Sequence, residues 1–143
     1  MASFDRIAPP VAPAPDLKAC TASAGEAVTC SFAGNLHLDS EDQVGLTLRE
    51  AIGRRPAVLA VDLSAVQVFT SSGLNALLVA RRAAHAEGVP MVLVAPSRSV
   101  WRVLQITEAH LVLPVFPTVE QALAHQGASN RGASPSPSDA YGV

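Results

Sequence analysis

The sequence predicts a single α/β domain built on a mixed, mostly parallel β-sheet. A chain of 143 residues, 49% of them hydrophobic, has about the size of one domain and can build a core. Apolar runs typical of buried strands alternate with segments of helical periodicity, and this alternation is typical of a parallel sheet. A predicted hairpin at the start adds an antiparallel strand.

Two segments of biased composition flank the predicted domain. Residues 1–15 are rich in Pro and Ala, and residues 127–143 are rich in Gly, Ser and Pro. Neither composition buries enough apolar surface to offset the entropy of ordering. We therefore expect two disordered tails around a folded body that spans residues 16–126.

The first predicted element is a β-hairpin. Val28, Cys30 and Phe32 alternate with polar residues, as in a half-buried strand, and the segment SAGE before them supplies a turn. The hairpin places Cys20 and Cys30 opposite or nearly opposite each other. One interpretation is a cross-strand disulfide, and the other is two small half-buried thiols. A reducing cytosol favours the two thiols.

A helix and a buried strand follow the hairpin. Ser40 and Gln43 have the spacing of a capping box, and apolar residues then recur at helical spacing as far as Gly53. The run AVLAVDL, residues 57–63, is nearly continuous in apolar β-formers, which suits a strand buried on both faces. Asp62 lies at the end of the segment AVLAVD within this run and is expected to order the loop that carries the serines through backbone hydrogen bonds.

The remaining elements repeat the alternation. An amphipathic helix ends at Gly88, and the buried strand MVLVA follows. Ser97 is a natural N-cap for a third helix. The short strand VLPVF is expected to be peripheral because Pro114 cannot donate a ladder hydrogen bond, and TVEQAL opens a last helix with capping-box spacing. The predicted order is β-β-α-β-α-β-α-β-α.

Three consecutive hydroxyl residues, Thr70, Ser71 and Ser72, lie where the central strand turns into the second helix. Backbone amides in the first turn of a helix have no intrahelical partner, and the helix dipole is positive there. A phosphate on Ser71 would add a charge of about −1.5 to −2 beside donors able to bind it. Such a modification would change the surface and leave the core intact.

Two other interpretations of these hydroxyls compete with modification. One hydroxyl caps the helix and has no further role. Alternatively, a serine is the nucleophile of a G-x-S-x-G elbow, although the sequence has Phe69 where that motif requires Gly. The four histidines are scattered, and no His, Cys, Asp or Glu cluster has the spacing of metal ligands. We therefore expect no enzymatic activity, no metal and no cofactor.

Charge and hydropathy argue against other classes of partner. Ten Lys and Arg against 12 Asp and Glu give a formal net charge of −2, without the basic patch of a nucleic-acid-binding protein. The longest apolar runs are far shorter than the roughly 20 residues that span a bilayer, and the N-terminal segment lacks the features of a signal peptide. The sequence thus predicts a cytoplasmic protein with no nucleic-acid or membrane partner.

The segment AVLAVDLSAVQVFTSSGLNALLVARRAAHAEGVPMVLVAPSRSVWRVLQIT, followed by LPVFPTVEQAL, resembles the STAS domain of bacterial anti-sigma-factor antagonists. The similarity extends over about residues 17–126. Its most specific part, VDLSAVQVFTSSGL, is similar to the strand, loop and D-S-[ST]-G-L helix start of that family. The resemblance implies a STAS-like fold for residues 16–126, with helices largely on one side of the sheet.

The resemblance also implies a function in transcription. In such antagonists the first serine of the motif, here Ser71, is phosphorylated by an anti-sigma factor that is also a serine kinase, with Ser72 and Thr70 as alternative acceptors. The unphosphorylated protein binds this partner and frees the sigma factor, the phosphorylated protein releases the partner, and a serine phosphatase resets the switch. The expected partner-binding residues are Thr70, Ser71, Ser72, Gly73, Asn75, His37 and Asn35.

Two positions depart from the family pattern. Thr70 stands where the family usually has an Asp before the phosphorylated serine, and His37, in GNLHL, stands where a G-x-L-D pattern has Asp. Both changes remove an acidic group from the expected partner-facing edge. They leave a second function open, in which a STAS domain without a phospho-switch acts as a constitutive binder, scaffold or small-ligand sensor.

Overall fold

The structure is a computed structural model that describes residues 17–130, and the predicted order of elements is confirmed. The strands are β1 (Leu17–Ala24), β2 (Ala27–Leu36), β3 (Val58–Phe69), β4 (Met91–Val94) and β5 (Val115–Phe116). The helices are α1 (Glu41–Gly53), α2 (Ser71–Ala86), α3 (Arg98–Ile106) and α4 (Val119–Asn130), with 3₁₀ turns at Leu38–Ser40 and Ala109–Leu111. The predicted tail of residues 1–15 and residues 131–143 of the second predicted tail lie outside the described residues, whereas residues 127–130 form the end of α4.

All five strands form one sheet in the order β1-β2-β3-β4-β5. β1 pairs antiparallel with β2, whereas the other three pairings are parallel. The predicted mixed, mostly parallel sheet is confirmed. β5 follows Pro114 at the edge of the sheet, as expected for a segment that lacks one backbone donor.

Three of the four helices pack on one face of the sheet. Side chains of α1, α2 and α3 join the main core, in which Phe32, Leu48, Leu63 and Leu77 are almost fully buried. α4 covers the other face, where Ala122 packs in a smaller cluster with residues of β3, β4 and β5. The prediction that the helices lie largely on one side is confirmed.

β3 is longer than predicted, because it continues beyond Leu63 to Phe69. Its register with β2 shifts at a bulge just after Asp62. The Asp62 Oδ1 accepts a hydrogen bond from the Ser64 amide at 2.9 Å, inside the strand. The prediction that Asp62 orders the loop carrying the serines is therefore wrong, since this carboxylate orders the bulge.

The helix termini agree with the sequence in most places. The Ser97 hydroxyl accepts a hydrogen bond from the amide of Val100 at 3.4 Å, and the Thr118 hydroxyl accepts one from the amide of Gln121 at 3.1 Å. The capping box predicted at Ser40 is wrong, because that side chain makes no capping bond to α1. A hydroxyl beside a strand end has a competing backbone acceptor there.

The hairpin register separates the two cysteines. Cys20 pairs with Ser31, and Thr21 pairs with Cys30. Because successive residues of a strand point to opposite faces, Cys20 is exposed and Cys30 is buried. Both thiols are free, so the interpretation as two thiols holds and the cross-strand disulfide is not formed. The two environments differ, however, instead of both being half-buried.

Candidate functional site

The carboxyl ends of β2 and β3 meet at one edge of the sheet. The last residues of the two strands, Leu36 and Phe69, are partners in the parallel register. His37 and Thr70 come next, so that the turn Leu38–Ser40 and helix α2 start side by side. We call this region, residues 35–42 and 70–75, the serine edge.

Thr70 is tied to the end of β2. Its backbone amide and its Oγ1 both donate hydrogen bonds to the Leu36 carbonyl, at 3.0 and 3.3 Å. Thr70 occupies the N-cap position of α2 with extended backbone, but its side chain makes no capping hydrogen bond. This hydroxyl therefore joins the helix start to the sheet instead of capping the helix.

Ser71 is the first residue of α2 and is exposed, whereas Thr70 and Ser72 are half-buried. The first turn of α2 contains no acidic residue. Amides at this end of a helix lack intrahelical partners and carry the positive end of the dipole. A negative group on Ser71 would therefore meet favourable electrostatics from its own helix.

Gly73 allows α2 to lie directly on the end of β2. A Cβ at this position would lie 2.8 Å from the Leu36 carbonyl oxygen and 2.9 Å from the Leu36 Cβ. Gly73 is also buried. This predicted site residue is therefore buried beneath the serine edge. It determines how closely the start of α2, including Ser71, packs on β2, and it is not exposed to a partner.

The segment before α1 is ordered by local hydrogen bonds. His37 Nδ1 accepts a bond from the Asp39 amide at 3.1 Å, and the His37 amide donates to Ser40 Oγ at 3.1 Å. Ser40 is buried and its hydroxyl donates to the Asn35 carbonyl at 2.7 Å. His37 and Asn35 are thus parts of one ordered turn.

Asn75 connects the serine edge to α1. Its Nδ2 donates a hydrogen bond to Glu41 Oε2 at 2.9 Å. Asn75 is exposed and lies one helical turn after Ser71, so that both share a face of α2. All seven predicted site residues lie on the two segments that meet at this edge.

Sequence reasoning missed two residues of the serine edge. Leu38 follows His37 with 71% of its surface exposed, and buried Ser40 organises the turn. The sequence did contain a signal for Leu38. It is a single apolar residue between the end of a strand and the polar start of a helix, which indicates an exposed contact residue. Ser40 carried no comparable signal, because its acceptor is known only once the chain has folded.

The part of the chain that the structure describes holds neither a metal-ligand cluster nor a membrane-spanning helix. Within residues 17–130 no three His, Cys, Asp or Glu side chains are grouped so that they could hold a metal ion. In the same part of the chain, no helix has both the length and the apolar character to cross a bilayer.

Solved structures with this fold include several antagonists of anti-sigma factors. One from Mycobacterium paratuberculosis is similar with a TM-score of 0.69 and 22% identity, covering 78% of this chain and 95% of that chain. SpoIIAA in its unphosphorylated form has a TM-score of 0.63 and 20% identity, and the match covers 82% of this chain and 100% of that chain. The Bacillus cell fate determinant SpoIIAA in the phosphorylated form has a TM-score of 0.58 and 19% identity, and the match covers 75% of this chain and 97% of that chain.

Sequence comparisons are more specific about the family. No curated protein sequence matches this chain significantly. The family model of the STAS domain, however, matches residues 21–122, which is most of the folded body. The order of the strands and the placement of the helices agree with the fold of the solved structures described above. The chain therefore belongs to the STAS domain family.

Proposed function

We propose that this STAS domain is an anti-sigma factor antagonist switched by phosphorylation of Ser71. Unphosphorylated, it binds an anti-sigma factor that is also a serine kinase, and this frees a sigma factor in the cytoplasm. Phosphorylation releases the partner, and a serine phosphatase restores binding. The observation that carries the proposal is the exposed Ser71 at the start of α2, on the edge where two parallel strands end.

The environments of the three hydroxyls support Ser71 as the acceptor. Thr70 is half-buried and its Oγ1 is bonded to Leu36, so a kinase would have to break that bond first. Ser72 is half-buried in the first turn of the helix. Ser71 is exposed, and its phosphate would lie beside the free amides of that turn.

The physical basis of release is the cost of burying a dianion. A partner that covers the serine edge, including exposed Leu38, would remove water from the phosphate. An uncompensated penalty of about 3 kcal/mol weakens binding roughly a hundredfold. The fold need not change, because the phosphate adds charge only at the surface. In this proposal the chain is a substrate and a ligand, not an enzyme.

The acceptor is tested by isolating the partner and supplying ATP. Tagged full-length protein from its native cell is used to capture bound proteins, and the complex is then incubated with ATP and analysed by mass spectrometry. We expect phosphate on wild type and on the matched control Ser72→Ala, but not on Ser71→Ala. Phosphate on Ser71→Ala equal to that on wild type would contradict the proposal.

A second candidate function is a STAS domain that binds its partner constitutively or serves as a scaffold or small-ligand sensor. It is favoured by Thr70 and His37, whose side chains form hydrogen bonds within the edge instead of presenting carboxylates. Pull-downs with wild type, Ser71→Ala and Ser71→Asp separate the two functions. Loss of the partner with Ser71→Asp alone supports the switch, whereas equal capture by all three supports constitutive binding.

A further inference from the structure

Helices α1 and α2 expose a common face with opposite charges at its two ends. Both helices start at the serine edge, where Asn75 of α2 contacts Glu41 of α1. The groove between them is lined by Glu41, Asp42, Gly45 and Arg49 of α1 and by Ala76, Val79, Ala80 and Ala83 of α2. The acidic groups lie at the start of α1, and the basic Arg49 lies two turns further along.

The middle of this face is apolar. Leu46 is 59% exposed and Val79 is 43% exposed. Gly45 lies beside them, and a Cβ built there meets nothing closer than the Arg49 guanidinium at 3.9 Å. Because residue 45 has no side chain, nothing projects from this position between Leu46 and Val79. An apolar centre between charged ends is suited to packing against another pair of helices.

We propose that this face, which we call the α1–α2 face, binds a second copy of the chain in an antiparallel, twofold arrangement. A twofold axis in the interface, perpendicular to the helices and level with Gly45, places Leu46 against Leu46 of the second copy. It places Val79 against its own counterpart in the same way. The same axis sets Asp42 against Arg49 of the second copy, twice in each dimer.

Charge complementarity favours a second copy as the occupant. Asp42 and Arg49 are seven residues apart, which is about 10 Å along a helix. Neither forms an ion pair with another of the described residues. A copy turned end to end places an opposite charge beside each of these two residues at once, and the same operation pairs the exposed apolar residues. This inference does not depend on the proposed function of Ser71.

The test is a charge-swap cycle measured by analytical ultracentrifugation of the full chain. Wild type is expected to show a concentration-dependent monomer–dimer equilibrium. Asp42→Arg and Arg49→Glu each place like charges opposite each other twice, and each is expected to raise the dissociation constant at least about tenfold. The double variant Asp42→Arg/Arg49→Glu restores both pairs and is expected to dimerise like wild type.

Mixing provides a second readout that does not depend on the stability of one variant. The two single variants, each weak alone, are expected to associate with each other, because the introduced arginine of one chain then faces the introduced glutamate of the other. The matched control Arg98→Glu changes an exposed charge on α3, outside the face, and is expected to dimerise like wild type. Circular dichroism checks that each variant is folded.

Two outcomes would overturn the proposal. Wild type that sediments as a monomer up to millimolar concentration shows that the face binds no second copy. A dimer whose dissociation constant is unchanged by both single swaps shows that the copies meet through another surface.

Discussion

The carbonyl oxygen of Leu36 accepts hydrogen bonds from both the amide and the hydroxyl of Thr70, at 3.0 and 3.3 Å. The last residue of β2 thereby fixes the residue that precedes α2. The position of Ser71 consequently depends on the sheet and not on a free loop. A partner that docks on Ser71 would meet a preformed surface, which lowers the entropic cost of binding.

Removing the Thr70 hydroxyl tests this link. Thr70→Val keeps the shape and the backbone bond but deletes the side-chain donor, so we expect the free energy of unfolding to fall by about 1 kcal/mol. Thr70→Ser retains the donor and is the matched control, with a smaller loss expected. Urea denaturation measures both. Equal stability of Thr70→Val and wild type would show that the 3.3 Å contact contributes nothing.

Two glycines in helices are expected to respond to alanine with opposite signs. Gly45→Ala should raise the free energy of unfolding by about 0.5–1 kcal/mol, because the new Cβ has space and Ala favours helix. Gly73→Ala brings the same propensity gain but forces a Cβ against Leu36 at 2.8 Å. That overpacking costs about 1–3 kcal/mol and should leave a net loss. Thermal unfolding of both variants checks the contrast, which a stabilising Gly73→Ala would contradict.

The order of strands and helices could be predicted because each element carries its own pattern of apolar residues. The second half of β3 could not, since Ser64 and Gln67 interrupt that pattern and are exposed. This half is a strand because it pairs with the far end of β2, as in the partners Leu36 and Phe69. Such pairing is a long-range property that local periodicity does not contain.

The location of the serine edge followed from the predicted alternation, but its internal bonds did not. Thr70 bonds to Leu36, which is 34 positions earlier in the chain. Ser40 has the spacing of a helix cap, yet its hydroxyl donates to Asn35. In both cases a strand end supplied a competing acceptor for a hydroxyl that sequence rules assign to a helix.

Ser97 is expected to be the most costly hydroxyl to remove from a helix start. Its Oγ donates to the Val66 carbonyl at 2.7 Å and accepts from the Val100 amide at 3.4 Å, so one atom joins α3 to β3. Ser97→Ala should lower the free energy of unfolding by about 1–2 kcal/mol. Thr118→Ala, which removes a cap without a strand contact, is the comparison and should cost less. Denaturant unfolding with a smaller loss for Ser97→Ala would contradict this ranking.

The two thiols are expected to differ sharply in reactivity. Cys20 is exposed, whereas Cys30 is buried, and this burial raises the pKa of the Cys30 thiol, although the Thr21 hydrogen bond and the Arg54 charge lower it in part. Because the thiolate is the nucleophile, Ellman's reagent should label one thiol rapidly in native protein and the second only on unfolding. Cys20→Ser should abolish the fast phase. A fast phase that survives in Cys20→Ser would show that Cys30 is accessible.

The raised pKa of Cys30 also predicts how stability depends on pH. The folded protein holds the proton to a higher pH than the unfolded chain, whose thiol titrates near the ordinary value of 9.0. The contribution of this group to stability is therefore fully present below that value and is lost as the pH rises through the folded pKa, with a slope of at most about 1.4 kcal/mol per pH unit. Cys30→Ala lowers overall stability by leaving a cavity, but it should show a shallower decline in the free energy of unfolding above pH 9 than wild type does. Parallel slopes for Cys30→Ala and wild type in urea titrations across that range would mean that Cys30 ionises no later in the folded protein than in the unfolded chain.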